Sequence, residues 1–98
     1  MAWMYILECA DGSYYVGSTK ILEQRLVQHQ QGLGAQYTSK RLPVNLVYCE
    51  EYERVSDAYA REKQVQNWSR VKREALIHGK PKLLPELAKK DFSKGKNK

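Results

Sequence analysis

The sequence predicts one α+β domain, in which a small three-stranded antiparallel sheet is flanked by helices. The chain has 98 residues, which is enough for a single modest core. Two segments rich in aromatic and apolar residues, 2–9 and 13–18, meet at an Asp-Gly pair that is typical of a hairpin. A third such segment, 44–52, lies between stretches with helical patterning, so the expected order is β-β-α-β-α-α. A sheet of three strands needs helices to become stable.

The turn of the hairpin decides which side chains share a face of the sheet, because side chains alternate along a strand. A two-residue turn would place Tyr5 and Tyr15 on opposite faces. A three-residue loop with Gly12 in the left-handed conformation would pair Cys9 with Ser13 and place both tyrosines on one face. Asp-Gly is compatible with both turns. A shared role for the two tyrosines predicts the three-residue loop.

The first helix is expected at residues 21–31. Ser18 or Thr19 can cap its N-terminus, and Gly32 is a natural C-terminal end. The polar and basic segment 33–43 that follows is predicted to be a loop.

Two further helices are expected after the third strand. Ser56 is a candidate N-cap for a helix that runs through Trp68, and Ser69 is a candidate N-cap for one that ends at Gly79. One continuous helix with a kink is the alternative.

The domain is assigned to residues 1–80, and residues 81–98 are expected to form a basic C-terminal extension that is flexible from about residue 89. Seventeen Lys and Arg against eleven Asp and Glu give a net charge of +6, which favours a polyanionic partner such as nucleic acid. The net charge supports the inference of a nucleic-acid partner but is not sufficient for it.

The sequence disfavours several classes of protein. Cys9 and Cys49 lie in separate apolar segments without the CxxC spacing of a zinc site, so both are expected to be buried, reduced thiols. No apolar segment approaches the roughly 18 to 20 residues of a membrane span, and the N-terminus lacks a basic region followed by an apolar one. We expect a cytoplasmic protein that makes no membrane contact, and favour a monomer.

The first part of the chain carries groups suited to handling a phosphate. Tyr5 lies in a Met-Tyr-Ile triplet of the first strand, and Tyr15 opens a Tyr-Val-Gly triplet of the second. Arg25 and His29 are four residues apart and therefore share a helix face. A guanidinium can neutralise charge on a pentacovalent phosphate, and an imidazole can donate to a phosphate oxygen or assist proton transfer. Gly17 would let a phosphodiester backbone approach without a Cβ in the way.

This order and spacing resembles the GIY-YIG nuclease superfamily, and most closely its small stand-alone (YhbQ-like) branch. The resemblance covers the whole foldable part of the chain and implies the same β-β-α-β-α-α layout. It also implies that a tyrosine orients or deprotonates the attacking water, for which Tyr15 is favoured with Tyr5 as its partner. Some relatives carry a lysine directly after the second triplet, where this chain has Ser18. The group that would lower a tyrosine pKa here is therefore left open.

Glu62 is the candidate metal ligand. It lies four residues after Ala58 and three before Val65, on the apolar face of its helix. A carboxylate there is costly unless it meets a cation or hydrogen-bond donors, although a glutamate at the edge of the apolar stripe is the alternative. The resemblance implies that this helix carries the one protein ligand for a divalent metal, at the position of Glu62. One carboxylate suits Mg²⁺, or Mn²⁺ in its place, because Mg²⁺ keeps much of its hydration shell.

Basic residues of the loop and of the later helices are candidates to contact a nucleic-acid backbone: Lys40, Arg41, Arg61, Lys63, Arg70, Lys72 and Arg73. The alternative is that they are ordinary solvated charges. Thr38, in the same loop, stays outside the catalytic set because a turn hydrogen bond would explain it.

The expected function is divalent-metal-dependent hydrolysis of phosphodiester bonds in DNA, at a structural feature rather than a base sequence, because a domain this small has no obvious appended recognition module. The resemblance includes the bacterial excision-repair incision protein and so suggests DNA repair. Two alternatives remain: a nucleic-acid-binding module with weak or no cleavage, and RNA as the target in place of DNA. The charge and the site fit all three.

Overall fold

The computed structural model describes residues 1–79. The chain divides into two units, of which the first is Met1–Asn67 and the second begins at Trp68. The expected C-terminal extension, residues 81–98, lies outside the described residues. None of the helices within residues 1–79 is long and apolar enough to cross a membrane.

The predicted α+β class and three-stranded antiparallel sheet are confirmed, with strand order β2-β1-β3. The first unit contains, in chain order, β1 (Ala2–Glu8), β2 (Tyr14–Thr19), α1 (Leu22–Gln30), α2 (Gln36–Ser39), β3 (Asn45–Tyr52) and α3 (Val55–Gln66). In the second unit, α4 spans Arg70–Ile77. The one addition to the predicted order is α2, a four-residue helix in the segment that we expected to be a loop.

The hairpin has the three-residue loop that a shared role of the tyrosines predicts. The Cys9 amide donates to the Ser13 carbonyl at 2.8 Å, and the Gly12 amide donates to the Cys9 carbonyl at 2.9 Å. Gly12 has a φ of +85°, the left-handed conformation that this loop requires. The resulting register places Tyr5 and Tyr15 on the same face of the sheet.

Strand β1 is the centre of the sheet and is buried on both faces. On one face, Tyr5 and Leu7 pack in a cluster to which Leu22 and Leu26 of α1 belong. Helix α3 also lies against β1 and β2, with Ala58 and Val65 fully buried. The helices therefore supply the cover that a sheet of three strands cannot provide for itself.

Two predicted helix caps are wrong, whereas the predicted helix end at Gly32 and the predicted cap at Ser69 are confirmed. Helix α1 begins after Ile21 without a side-chain cap, and α3 begins after Arg54, so Ser56 lies inside its first turn. Gly32 has a φ of +81° just beyond α1, as expected for a helix end. Ser69 caps α4 by accepting a hydrogen bond from the Lys72 amide at 3.2 Å, so α3 and α4 are separate helices.

The two cysteines are free thiols, as predicted. Cys9 is buried, but Cys49 on β3 is only half-buried, because its strand is an edge of the sheet. Burial is the main reason that the pKa of each thiol lies above its ordinary value. Neither environment favours the reactive thiolate.

Candidate active site

Tyr5, His29 and Thr38 form a buried chain of hydrogen bonds, called here the Tyr5–His29–Thr38 chain. The Tyr5 hydroxyl lies 2.9 Å from His29 Nε2, and His29 Nδ1 lies 2.9 Å from the Thr38 hydroxyl. Thr38 in turn donates to the Ala35 carbonyl at 3.1 Å. All three side chains of the chain are at most 1% exposed. Such a network fixes each group because a buried polar atom without a partner is costly.

The hydrogen-bond pattern shows which atoms of the Tyr5–His29–Thr38 chain carry the protons. A threonine hydroxyl has one proton, which Thr38 donates to a carbonyl, so Thr38 accepts from His29 Nδ1–H. A neutral imidazole then accepts at Nε2, and the Tyr5 hydroxyl is the donor. Burial lowers the pKa of His29, and the positive charge of Arg25 lowers it further, which keeps the ring neutral.

One expected role for His29 is wrong. The sequence suggested that His29 could donate directly to a phosphate oxygen, but the ring is 1% exposed and both of its nitrogen atoms are engaged. Loop residues cover the ring, which helix spacing alone does not indicate. Its available role is to accept the proton of Tyr5.

Two glycines make room for the Tyr5–His29–Thr38 chain. A Cβ on Gly17 would lie 2.5 Å from the Tyr5 hydroxyl oxygen, and a Cβ on Gly34 would collide with the His29 ring. The expected reason for Gly17, close approach of a nucleic-acid backbone, is therefore corrected: Gly17 is buried and faces Tyr5. The sequence does not indicate the role of Gly34, because that role depends on a contact between a loop and a helix.

Tyr15 is half-buried and lies among aromatic rings. Its ring centroid is 6.4 Å from that of Tyr5 and 5.3 Å from that of His29. On another side it stacks with Tyr37 at 6.1 Å and 25°, and the Arg41 guanidinium lies 3.9 Å from the Tyr37 centroid. Because Tyr5 is buried and Tyr15 is not, Tyr15 is the better placed of the two to meet a water molecule.

The charges around the two tyrosines include both the acid and the guanidinium of the predicted site. Burial, followed by the negative charge of Glu62, raises the pKa of Tyr15, whereas Arg25 and Lys63 act to lower it. Burial also raises the pKa of Tyr5, with Tyr15 and Glu62 acting in the same direction and Arg25 in the opposite one. Arg25 and Lys63 are thus two cations whose charge acts on Tyr15.

Two hydrogen bonds hold the Glu62 carboxylate. The Ser18 hydroxyl donates to Oε1 at 2.6 Å, and the Gln66 amide donates to Oε2 at 2.8 Å. The same Gln66 amide group lies 3.2 Å from the carbonyl of Val16 on β2. Glu62 is consequently half-buried against the edge strand and not turned into open solvent.

The residues present fit a hydrated divalent cation and do not fit a cage of protein ligands. Within residues 1–79 there is no group of three or more His, Cys, Asp or Glu that could hold a metal ion. Each oxygen of Glu62 accepts one hydrogen bond and keeps a lone pair for a cation. A single carboxylate with water completing the shell is a donor set that Mg²⁺ accepts.

The basic residues of the first unit have different surroundings. Lys40 is exposed. Arg41 forms an ion pair with Asp11 at 3.0 Å and also donates to the Tyr37 carbonyl at 2.9 Å, so it joins the hairpin loop to α2. Lys63 is exposed, with its ammonium 4.9 Å from the Tyr59 ring. Arg41 thus has a structural role that the sequence did not indicate, and so does Arg61 on α3, which pairs with Glu50 at 2.9 Å.

The basic residues of the second unit lie on α4. Arg70 pairs with Glu74 at 3.0 Å, one turn along the helix. The Lys72 ammonium lies 4.6 Å from the Trp68 ring, a cation–π contact. Arg73 is half-buried.

Comparison with known proteins identifies the family. The family model described as the GIY-YIG catalytic domain matches residues 1–75. The chain belongs to the GIY-YIG family. This membership indicates a nuclease-like fold and, at the level of the family, nuclease activity and interaction with nucleic acid.

Proteins similar to this chain include several UPF0213 proteins. One from Staphylococcus saprophyticus is 44% identical over 75 residues, which are 76% of this chain and 92% of that protein. One from Halobacterium salinarum is 41% identical over 77 residues, 79% of this chain and 100% of that protein. The solution NMR structure of one from Bacillus halodurans has a TM-score of 0.53 at 35% identity and covers 92% of this chain and 99% of that one. The relatives of this GIY-YIG domain thus form a small stand-alone family.

Proposed function

We propose that this GIY-YIG domain is a divalent-metal-dependent endonuclease that hydrolyses phosphodiester bonds in DNA, at a structural feature rather than a base sequence. The observation that supports it most is that Glu62 of α3 and Arg25 of α1 lie close enough to the same two tyrosines to act on their charge. The charges of Glu62 and Arg25 both act on Tyr5 and Tyr15, and Glu62 is held at β2 by Ser18. Acid, guanidinium and phenols are the groups that this hydrolysis needs.

Tyr15 is proposed to orient the attacking water and to accept its proton. A phenol titrates near pH 10 and the pKa of Tyr15 is raised further, so the step depends on positive charge beside it. Arg25 and Lys63 supply part of that charge. Tyr5 supports Tyr15 from the buried side, with its own proton held on the bond to His29.

Arg25 is proposed to stabilise the negative charge of the transition state. It is half-buried, where a guanidinium interacts with an anion more strongly than in bulk water. Its planar donors match the oxygens of a phosphate.

Glu62 would hold the Mg²⁺ or Mn²⁺ ion. When bound, the ion supplies positive charge that polarises the phosphate and stabilises the leaving oxygen. Ser18 and Gln66 keep the carboxylate in one orientation for this purpose.

The test is nicking of branched, flapped and supercoiled DNA with and without Mg²⁺. Wild type is expected to nick only with the metal, and Glu62→Ala is expected to be inactive. Glu53→Ala is the matched control, because Glu53 is an exposed carboxylate near the start of α3. Equal nicking by wild type and Glu62→Ala would defeat the proposal.

A nucleic-acid-binding module without cleavage is the second candidate. The raised pKa values of both tyrosines favour it, because neither phenol is a strong base without added positive charge. It predicts salt-sensitive DNA binding that survives Glu62→Ala, with no Mg²⁺-dependent nicking. Competition between matched DNA and RNA ligands separates the two substrates, since only RNA offers the 2′-hydroxyl.

A further inference from the structure

An open pocket of about 240 Å³ lies where β2 leads into α1. Its lining residues are Thr19, Lys20, Ile21, Gln24, Arg25 and Gln28. None of these six is acidic, and two are cations. The pocket shares Arg25 with the candidate active site, so it borders the position at which Arg25 would bind a phosphate.

Gln28 has a defined orientation in this pocket. Arg25 Nη1 donates to Gln28 Oε1 at 3.2 Å, and a guanidinium only donates, which assigns the oxygen of the amide to the Arg25 side. Gln28 lines the pocket, and its NH₂ group is then the end of the amide that is left to donate to a bound ligand. An oriented amide donor recognises a carbonyl or ring-nitrogen acceptor of a nucleobase.

We infer that this pocket binds the nucleobase of an unpaired nucleotide next to the scissile phosphate, through a hydrogen bond from Gln28 to a carbonyl of the base. This inference rests on the proposed function, because it uses Arg25 as the phosphate-binding group. A base enters such a pocket only after leaving the stack, which costs least where the strand is already unpaired. One base contact gives a local preference at a flap or branch and no long recognition sequence.

The test is an NMR titration of the ¹⁵N-labelled full chain without divalent metal. The probes are dTMP, whose base has carbonyl acceptors, deoxyribose 5-phosphate, which has no base, and inorganic phosphate. We expect dTMP to shift the amide signals of Lys20, Gln24 and Gln28 and to bind roughly 3- to 10-fold more tightly than deoxyribose 5-phosphate, the effect of one neutral hydrogen bond.

Three variants make the test specific. Gln28→Ala is expected to bind dTMP no more tightly than deoxyribose 5-phosphate. Gln28→Glu keeps an acceptor for Arg25 and loses the amide donor, so it should lose the base preference with Arg25 still held. Gln31→Ala, which removes an exposed glutamine just after the same helix, should behave as wild type.

The inference is overturned if dTMP and deoxyribose 5-phosphate bind alike to wild type, or if both Gln28 variants keep the preference. That outcome leaves Mg²⁺-dependent nicking unaffected, so the proposed function would stand. Conversely, nicking that survives Glu62→Ala would refute the proposed function, whatever the result of the dTMP titration.

Discussion

The Ser18 hydroxyl donates a 2.6 Å hydrogen bond to Glu62, across 44 residues of sequence. It connects the edge strand β2 to the helix that carries the candidate metal ligand. A bond of this length between a hydroxyl and a carboxylate is charge-assisted and strong. The Ser18 side chain therefore links β2 to α3.

Removing this hydroxyl should weaken metal binding. We expect Ser18→Ala to lower the affinity for Mn²⁺ about 10-fold, because groups that orient a metal ligand have effects of this order. Ser18→Thr keeps the hydroxyl and should recover most of the affinity. Calorimetric titration measures both variants, and an unchanged affinity in Ser18→Ala would show that the hydroxyl does not orient Glu62.

Adding a methyl group at Gly17 should destabilise the fold. The new Cβ would lie 2.5 Å from the Tyr5 hydroxyl oxygen, so a buried ring must move. We expect Gly17→Ala to reduce the free energy of unfolding by about 1–3 kcal/mol, the usual cost of overpacking. Denaturant unfolding measures this change. Wild-type stability in Gly17→Ala would mean that the ring of Tyr5 is not fixed in this position.

Stability should fall in mild acid because of His29. Its pKa is lowered in the folded state by burial and by Arg25, so below pH ~6.5 the unfolded state binds a proton that the folded state resists. This contribution is fully present above pH ~6.5 and is lost as the pH falls through the folded pKa. Denaturant unfolding at several pH values should show this decline in wild type and a weaker one in His29→Gln. Equal declines would contradict the buried neutral imidazole.

Glu50 should give a second loss of stability at lower pH. Burial acts to raise the pKa of Glu50, but hydrogen bonds from Arg61, Tyr48 and Tyr52 together hold it below its ordinary value. The same cluster, with burial as the first cause, raises the pKa of Tyr52 to about 12. The stabilising contribution of Glu50 is present above pH ~4.3 and is lost as the pH falls through its folded pKa.

Arg61→Met tests this cluster. It removes the 2.9 Å ion pair with Glu50, which is mostly but not fully buried, and we expect a loss of about 1–3 kcal/mol at neutral pH. The acid-induced decline that Glu50 causes should also become smaller. Lys63→Met replaces an exposed cation on the same helix and serves as control. Equal stability of the two variants would show that the ion pair contributes nothing.

Local sequence predicted the strands, the helix end at Gly32 and the cap at Ser69, because each depends on neighbouring residues. The left-handed Gly12 followed only from a shared role of Tyr5 and Tyr15, because Asp-Gly is compatible with both turns. It did not predict α2, because four residues are too few to show a helical period. The partners of Glu62 and His29 were also missed. Both depend on contacts between distant segments, which only the packed fold brings together.

The expected cap at Ser18 shows the same limit. A serine before a helix is a good N-cap by local rules, but here its hydroxyl is used by Glu62 instead. Thr19 accepts from the Ile21 amide at 3.1 Å and orders the turn into α1. Tertiary contacts thus decided between two uses of one side chain.

The most direct test of the central claim is the location of a bound divalent ion. In an NMR titration of the ¹⁵N-labelled chain with substoichiometric Mn²⁺, the paramagnetic ion broadens the signals of nearby amides. If one metal-dependent site combines Glu62 with the tyrosines, broadening should centre on Ser18, Glu62 and Gln66, extend to Tyr15, and disappear in Glu62→Ala. Broadening centred elsewhere, or unchanged in Glu62→Ala, would contradict a hydrolytic site at this strand.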